Sequence, residues 1–493
     1  MHDIDKSIAP KQLVPAAERV FQLGAAKARS IDRAWDTDRG TPVFTVGGKY
    51  TTRGWTEWTQ GFVYGCMILA GDALGDAALL QLGRRRTVER MLPHVTHTGV
   101  HDHGFNNLST YGNLLRLMAE GRLEQNAWEE TTYRQAIAAS GAVQAARWAG
   151  TPPTGSPQTA QSPTLGYIYS FNGPHSLFID TMRTTRILGV AWKLGHALMH
   201  EGDRKADLLK RSVLHGLTTN HYIVMHGRPE DQPKSARAAY AALPYADSPF
   251  NVRGRTAHEG TFNRNDGAFR ARATQQGYSP FSTWTRGLAW AMCGYAEELE
   301  FLDTIDAKAF KESTGLAKSA AVKVYEQAAR ETCDHYLCEA SAADGITYWD
   351  DGAPGLAHMP DWRDHPADPY NDHEPVDSTA SAIAAQGLIR LGNYLIASGS
   401  ARKGEPYLKA GLGIARVLFD EPYLSTKRSH QGLLLHSIYH QPNGWDHTPA
   451  GRSVPCDESS MWGDYHLLEL ANLIARMAQP RKYGPYPTFF AGA

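Results

Sequence analysis

Residues 176–195 read Ser-Leu-Phe-Ile-Asp-Thr-Met-Arg-Thr-Thr-Arg-Ile-Leu-Gly-Val-Ala-Trp-Lys-Leu-Gly. Leu177, Ile187, Leu188, Val190 and Leu194 recur at roughly helical spacing and Gly195 offers a stop, so the stretch predicts one helix. Asp180 falls in its first turn, where a carboxylate meets the positive end of the helix dipole. Leu177, Phe178 and Ile179 precede it, and apolar surroundings resist ionisation. An Asp in that place either caps the helix or serves as a catalytic acid with a tuned pKa. Position alone leaves both readings open.

Outward from this stretch, helical periodicity returns along the whole chain. Segments 11–36, 76–92, 108–118, 129–149, 203–221, 286–302, 307–340, 377–397, 402–419, 429–437 and 459–477 read as helices. Another starts with the aromatics of Trp55-Thr-Glu-Trp58. Residues 40–54 read as a Gly- and Thr-rich connection, and 150–166, 226–280 and 341–376 as long irregular loops. Short and long connections alternate, and few stretches suggest strands. Helical hairpins closed into a toroid, with the long loops at one end, account for that alternation. The expectation is an all-α fold, an (α/α)6 barrel of about twelve helices. Nothing resembles an interdomain linker, so 1–493 reads as one catalytic domain. An α-solenoid would need a sequence repeat, and none is visible.

The chain has 493 residues, 42% hydrophobic and 20% charged, with a formal net charge of −1. That balance supplies no bulk field for nucleic acid or an anionic membrane. No run is apolar and long enough to span a bilayer. The 12 Trp and 22 Tyr suit a carbohydrate cleft, since sugar rings stack on aromatic faces, while most of them serve the core. Cys66, Cys293, Cys333, Cys338 and Cys456 show neither metal spacing nor a disulfide framework, and predict reduced thiols. The start, Met-His-Asp-Ile-Asp-Lys-Ser, lacks the basic and apolar regions of a signal peptide. A cytoplasmic location is expected, or a periplasmic one if a leader has been removed.

Polar clusters gather where loops meet helix starts. They are His101-Asp102-His103; Asp180; His258 with Gln276-Gly277-Tyr278 and Arg286-Gly-Leu-Ala-Trp290; Asp344 to Asp350 with Asp377; and Ser459-Ser460-Met461-Trp462. Arg286 and Trp290 are four apart and share a helix face, where charge and stacking can hold an anionic ring. Read as single residues, Asp102 is a cap as readily as a catalyst, and Arg286 an ion-pair partner as readily as a ligand. His358, His365 and His373, among Asp361, Asp364, Asp368 and Asp372, match no compact ligand spacing, so no metal and no cofactor is expected. Arg84-Arg85-Arg86 reads as a solvated helix face.

In order, seven motifs resemble the unsaturated glucuronyl hydrolases of glycoside hydrolase family 88 and the related unsaturated rhamnogalacturonyl hydrolases of family 105. They are His-Asp-x-Gly-Phe at 101–105, Phe-Ile-Asp-Thr-Met at 178–182, Gln-Gly-Tyr at 276–278, Arg-Gly-x-Ala-Trp at 286–290, Asp-Gly-x-x-Tyr-Trp-Asp at 344–350, Asp-Ser-Thr-Ala-Ser-Ala-Ile at 377–383 and Trp-Gly-Asp-Tyr at 462–465. The resemblance runs from about Trp55 to Leu470. It implies the (α/α)6 fold, catalytic aspartates at Asp102 and Asp180, and substrate contacts at His101, His258, Gln276, Arg286 and Trp290, with Ser460 and Trp462 as further contacts. The family's Trp-Thr-Asp-Gly-Phe-Trp segment reads Trp58-Thr-Gln60-Gly-Phe-Val63 here. Loops 150–166, 228–256 and 355–375 are longer than the family suggests, at the cleft mouth where the oligosaccharide is selected.

The implied partner is an oligosaccharide made by a polysaccharide lyase and ending in a 4,5-unsaturated uronic acid. Its C4=C5 bond is an enol ether. An acid protonates C4, oxocarbenium character develops at C5 and the ring oxygen, and water adds at C5 with the same group as base. The hemiketal then opens and frees the remaining sugar. Hydration needs neither a glycosyl nucleophile nor displacement at C1. Asp180 is then the acid/base, its pKa raised by burial and a second carboxylate, and Asp102 the partner that tunes it and holds the sugar. The alternatives are activity on unsaturated galacturonyl-rhamnose, a sugar epimerase using histidines on the same barrel, and a sugar-binding protein without activity. Oligomeric state is not readable from the sequence.

Overall fold

The computed structural model describes residues 4–54, 57–152 and 165–486. Trp55 and most of the loop 150–166 therefore lie outside the described residues. The barrel helices, in chain order, are α1 (Val14–Ala34), α2 (Gln60–Leu74), α3 (Ala77–Arg90), α4 (His103–Asn107, a π-turn Leu108–Gly112, then Asn113–Ala119), α5 (Ala127–Ala146), α6 (Thr181–Thr184 and Arg186–Lys193), α7 (Leu208–Tyr222), α8 (Thr285–Asp303), α9 (Lys318–His335), α10 (Ser378–Ala397), α11 (Ala401–Leu418) and α12 (Met461–Ala478). The even-numbered helices form an inner ring: α2 packs on α4, α4 on α6, α6 on α8, α8 on α10, α10 on α12, and α12 closes on α2. The odd-numbered helices pack outside them, α1 on α2 and α12, α5 on α4 and α6, α11 on α10. The fold is an (α/α)6 barrel.

Residue pattern dictates the two layers. The inner helices are apolar nearly all round, and every residue of α2 from Gly61 to Ala73 and of α8 from Thr285 to Leu302 is buried. The outer α1 buries chiefly one stripe, Val14, Ala17, Val20, Phe21, Gly24, Ala25, Ala28 and Ile31. The polar residues of the inner ring pair across its centre. Arg183 on α6 reaches Glu297 on α8 (2.7 Å) and Glu469 on α12 (2.9 Å), Arg186 also reaches Glu297 (3.0 Å), and Arg390 on α10 reaches Glu300 (2.6 Å). Charges so buried stay charged only because each has a partner.

Short strands occupy the connections between helices. They are β1 (Pro42–Val46), β2 (Lys49–Thr52), β3 (Trp148–Thr151), β4 (Leu165–Ile168), β5 (Ser176–Phe178), β6 (Leu198–His200), β7 (Arg204–Ala206), β8 (Glu259–Phe262) and β9 (Phe269–Ala273). They make antiparallel pairs β1–β2, β3–β4 and β6–β7 and one sheet in the order β5–β8–β9. The sequence reading of 40–54 as a plain connection gives way to the β1–β2 hairpin.

Three helix expectations change. Residues 176–195 are not one helix: Ser176–Phe178 pair with β8, Phe178 opposite Glu259, and the Ile179 amide donates to the His258 carbonyl (3.0 Å). Asp180 is thus the residue before α6 rather than a first-turn residue. Segment 429–437 is irregular rather than helical, with Leu434 bridging Leu424 and Leu435 bridging Ser459. The Leu433 and Leu434 amides donate to Asp464 Oδ1 (2.8 and 2.9 Å), which satisfies them outside a helix. Segment 307–340 is interrupted at Gly315, whose φ of +78° ends the short helix Ala307–Thr314 before α9 begins.

Candidate active site

The loops that enter the inner helices surround a cleft of about 450 Å³. Arg53, Glu57 and Trp58 come from the loop before α2, His97, Gly99, Val100, His101 and Asp102 from that before α4, and Phe171, Phe178 and Asp180 from that before α6. Gln275, Gln276 and Trp284 precede α8, and Tyr439, His440 and Trp445 lie before α12. Inner helices thus start at the cleft, and helix starts carry partial positive charge that suits an anionic ligand. Such a cavity has the size of one or two sugar rings.

Four inner-helix starts separate capping from chemistry. Asp377 caps α10, accepting the Thr379 and Ala380 amides, and Ser460 caps α12, accepting the Gly463 amide. Asp102 and Asp180 occupy the same position on α4 and α6, yet neither side chain makes a cap bond. Their carboxyl groups turn to His101 instead. His101 Nε2 lies 3.1 Å from Asp180 Oδ1 and 3.8 Å from Asp102 Oδ1. All three groups line the cleft, and the two aspartates are 9% and 8% exposed. Phe178 meets the His101 ring edge-on (5.7 Å) and Phe171 lies parallel to it (6.4 Å).

The cluster separates the proton affinities of the two acids. Burial raises the Asp102 carboxyl above the usual range and the Asp180 charge adds to this, against the pull of His101 and Arg147. Burial also pushes Asp180 upward, but His101, by charge and hydrogen bond, and His258 outweigh it and leave Asp180 lowered. Burial opposes charge on His101, yet Asp102 and Asp180 together raise its pKa. The expectation of a raised Asp180 is therefore corrected: Asp102 is the carboxyl whose pKa is raised, and Asp180 is lowered by its neighbour His101.

The other residues singled out in the sequence take varied places. Gln276 lines the cleft and accepts a hydrogen bond from Arg286 Nη2 (2.9 Å). His258 stands behind it: its Nδ1 accepts the amides of Gln275 and Gln276 (2.8 and 3.2 Å), and burial lowers its pKa to about 3. Trp290 lines the cleft beside Phe105 (4.7 Å). Arg286 also borders it, but its terminal donors are engaged. Nη1 donates to Asp377 Oδ2 (2.7 Å) and the Ile438 carbonyl, and Nη2 to Gln276 and the Tyr439 carbonyl (2.7 Å). Trp462 lies beneath, with Arg286 5.4 Å from its ring centre and Trp58 at 5.0 Å. Ser460 is buried against Ser437 and Thr379 as a cap and does not border the cleft.

Several wall residues escaped the sequence reading. Glu57 sits one residue before Trp58; burial, then Asp102, pushes its carboxyl up to about 7. Arg53, Phe171, Tyr439, His440 and Trp445 come from irregular loops, where a clustering of Arg with aromatics was the available signal. Among the described residues, no group of three or more His, Cys, Asp or Glu is arranged to hold a metal ion, and no helix is long and apolar enough to cross a membrane.

With this geometry in hand, comparison with known proteins agrees with the motif reading. No protein-family model matches the chain. The unsaturated glucuronyl hydrolase of Bacillus sp. (strain GL1) is 24% identical over 318 residues, 62% of this chain and 72% of that protein. The unsaturated chondroitin disaccharide hydrolase of Streptococcus pyogenes serotype M1 is 27% identical over 201 residues, 40% of this chain and 38% of its own length. The crystal structure of the Bacillus sp. GL1 enzyme superposes with a TM-score of 0.64 at 21% identity, covering 96% of this chain and 100% of that one. A variant of the Streptococcus agalactiae unsaturated glucuronyl hydrolase complexed with dGlcA-GalNAc6S superposes with a TM-score of 0.55 at 19% identity, covering 94% and 91%. The resemblance to unsaturated glucuronyl hydrolases is borne out by these relatives, and the solved structures share the helical-barrel fold.

Proposed function

We propose that this protein is an unsaturated glucuronyl hydrolase, a glycosidase that releases the terminal 4,5-unsaturated uronic acid from lyase-generated oligosaccharides. The observation that carries the reading is the Asp102–His101–Asp180 cluster, held at two helix starts that its carboxylates do not cap, inside an aromatic-walled cleft. The chemistry follows from the proton inventory. A uronate entering the cleft brings another negative charge, which raises the proton affinity of both aspartates. The proton on His101 Nε2 is then within reach of Asp180, which passes it to C4. The C4=C5 electron pair forms the new C–H bond, and positive charge develops at C5 and the ring oxygen beside the Asp102 carboxyl. Asp180, now ionised, takes a proton from water as the water oxygen bonds to C5. The hemiketal opens and the remaining sugar leaves. Atoms balance with one water consumed, and no displacement at C1 occurs.

The relatives' names support this substrate class: one acts on unsaturated chondroitin disaccharide by name, and one is complexed with dGlcA-GalNAc6S. The test is to incubate the protein with a panel of unsaturated disaccharides from lyase digests and follow the ultraviolet absorption of the enol carboxylate. The absorption should disappear as free sugar is released. An epimerase or a binding protein would leave it intact.

A further inference from the structure

The cleft needs a cation to meet an anionic sugar, and the obvious one is occupied. Arg286 spends its Nη donors on Asp377, Gln276 and the carbonyls of Ile438 and Tyr439, and it is 2% exposed. Its work is to fix the segment that carries Tyr439, His440 and Trp445. Asp446 fixes the same segment from the other side, accepting the Tyr439 and His440 amides. Trp445 packs on Tyr439 (5.3 Å) and His440 (4.7 Å), so its indole is a supported shelf and not a loose loop residue.

Arg53 lies on that shelf. Its guanidinium carbon is 4.0 Å from the Trp445 ring centre, 5.5 Å from that of Phe44 and 5.9 Å from that of Tyr439. Among the described residues it makes no ion pair and no side-chain hydrogen bond, and it is exposed where the catalytic aspartates are buried. Stacking on an indole fixes a guanidinium plane while leaving its N–H edge free, which is the arrangement that takes a carboxylate or sulfate two-pronged. The carboxyl sharing this wall is Glu57, on which Arg53 acts at a distance. Glu57's raised proton affinity limits its opposition to an anion near neutral pH.

Resting on the proposed function above, we infer that Arg53, stacked on Trp445, is the subsite for an anionic substituent, sulfate or carboxylate, on the sugar next to the reacting uronate. Its exposure to solvent, in a cleft whose two aspartates are buried, assigns it to that second sugar.

The test compares two unsaturated disaccharides that differ only in a sulfate on the second sugar, with wild type, Arg53→Ala, Arg53→Lys and Trp445→Ala. Losing a charge-assisted hydrogen-bonded pair costs about tenfold to a hundredfold in affinity. Arg53→Ala should therefore lower kcat/KM for the sulfated substrate, relative to the unsulfated one, by about that factor, chiefly through KM. Arg53→Lys, which keeps charge and loses the fork, should recover part of the preference. Trp445→Ala should lose preference without any change at Arg53. The same ratio is read without turnover by titrating both disaccharides into Asp180→Asn and Asp180→Asn/Arg53→Ala by tryptophan fluorescence. Equal losses on both substrates would place Arg53 at the reacting sugar and overturn the assignment, as would no loss on either. If no unsaturated disaccharide is consumed, the hydrolase reading fails, while the fluorescence titration still decides whether Arg53 selects the anion.

Discussion

At the residue scale, the proposed catalysis rests on where two protons sit. Asp180→Asn keeps the shape of the cleft but can neither deliver a proton to C4 nor take one from water. General acid–base catalysis contributes about a hundredfold to ten-thousandfold, so kcat should fall by at least the lower figure with KM little changed. Steady-state kinetics on an unsaturated disaccharide checks this, and near-normal turnover would remove Asp180 from the role. Asp102→Asn tests the electrostatics instead. An ionised Asp102 raises the pKa of His101, and its charge and that of Asp180 oppose one another. Without it, His101 and Asp180 release their protons at lower pH, so the alkaline limb of the kcat profile should move down the pH scale. An unmoved limb would mean that Asp102 serves only to hold sugar. Both aspartates stand in sequence motifs, and the structure brings the two to one cleft. Their order of proton affinity was not legible in the sequence, because it depends on which carboxylate His101 approaches, and Nε2 is 3.1 Å from Asp180 but 3.8 Å from Asp102.

At the element scale, the pair is brought together by the close meeting of α4 and α6. A methyl group on Gly104 would lie 2.2 Å from the Thr184 carbonyl oxygen. Gly104→Ala forces the two helix starts apart, and overpacking of this kind costs about 1–3 kcal/mol. Thermal unfolding should show that loss, and turnover per folded molecule should also drop, because Asp102 and Asp180 stand at those two starts. Normal turnover in the surviving folded fraction would show the pair to be insensitive to this contact. Arg286→Ala should act on another element, the segment 438–446, by leaving Asp377 buried without its partner; breaking such a pair costs about 3–5 kcal/mol. Urea denaturation measures it, and a cost under about 1 kcal/mol would mark the pair as dispensable. Most helices were readable from 3.6-residue periodicity, while the start of α6 and the non-helical segment 429–437 were not. Residues 176–179 carry helical spacing but complete their hydrogen bonds with β8, and 429–437 carries leucines whose amides go to Asp464. Tertiary partners decided both, and neither partner is near in sequence.

At the scale of the whole molecule, the inner ring is tied through its centre by buried charge. Glu297 serves Arg183, Arg186 and, more distantly, Arg390 (3.6 Å), joining α6, α8 and α10. Glu297→Gln leaves those guanidinium groups short of a counter-charge, and a loss of about 3–5 kcal/mol in urea denaturation is expected. The alternation of inner and outer helices was visible in the order of short and long connections. The cleft wall was not, because Arg53, Glu57, Phe171, Tyr439 and Trp445 converge only once the ring closes α12 on α2. The closed ring presents one acid cluster to the cleft, and turnover in heavy water tests the proposed hydration. Sampled early, before the product ketone can exchange, the released 4-deoxy sugar should carry a single deuterium at C4, placed there by Asp180, with loss of the enol-carboxylate absorption in step. Product with no label at C4, or sugar released with the absorption intact, would contradict hydration of the double bond.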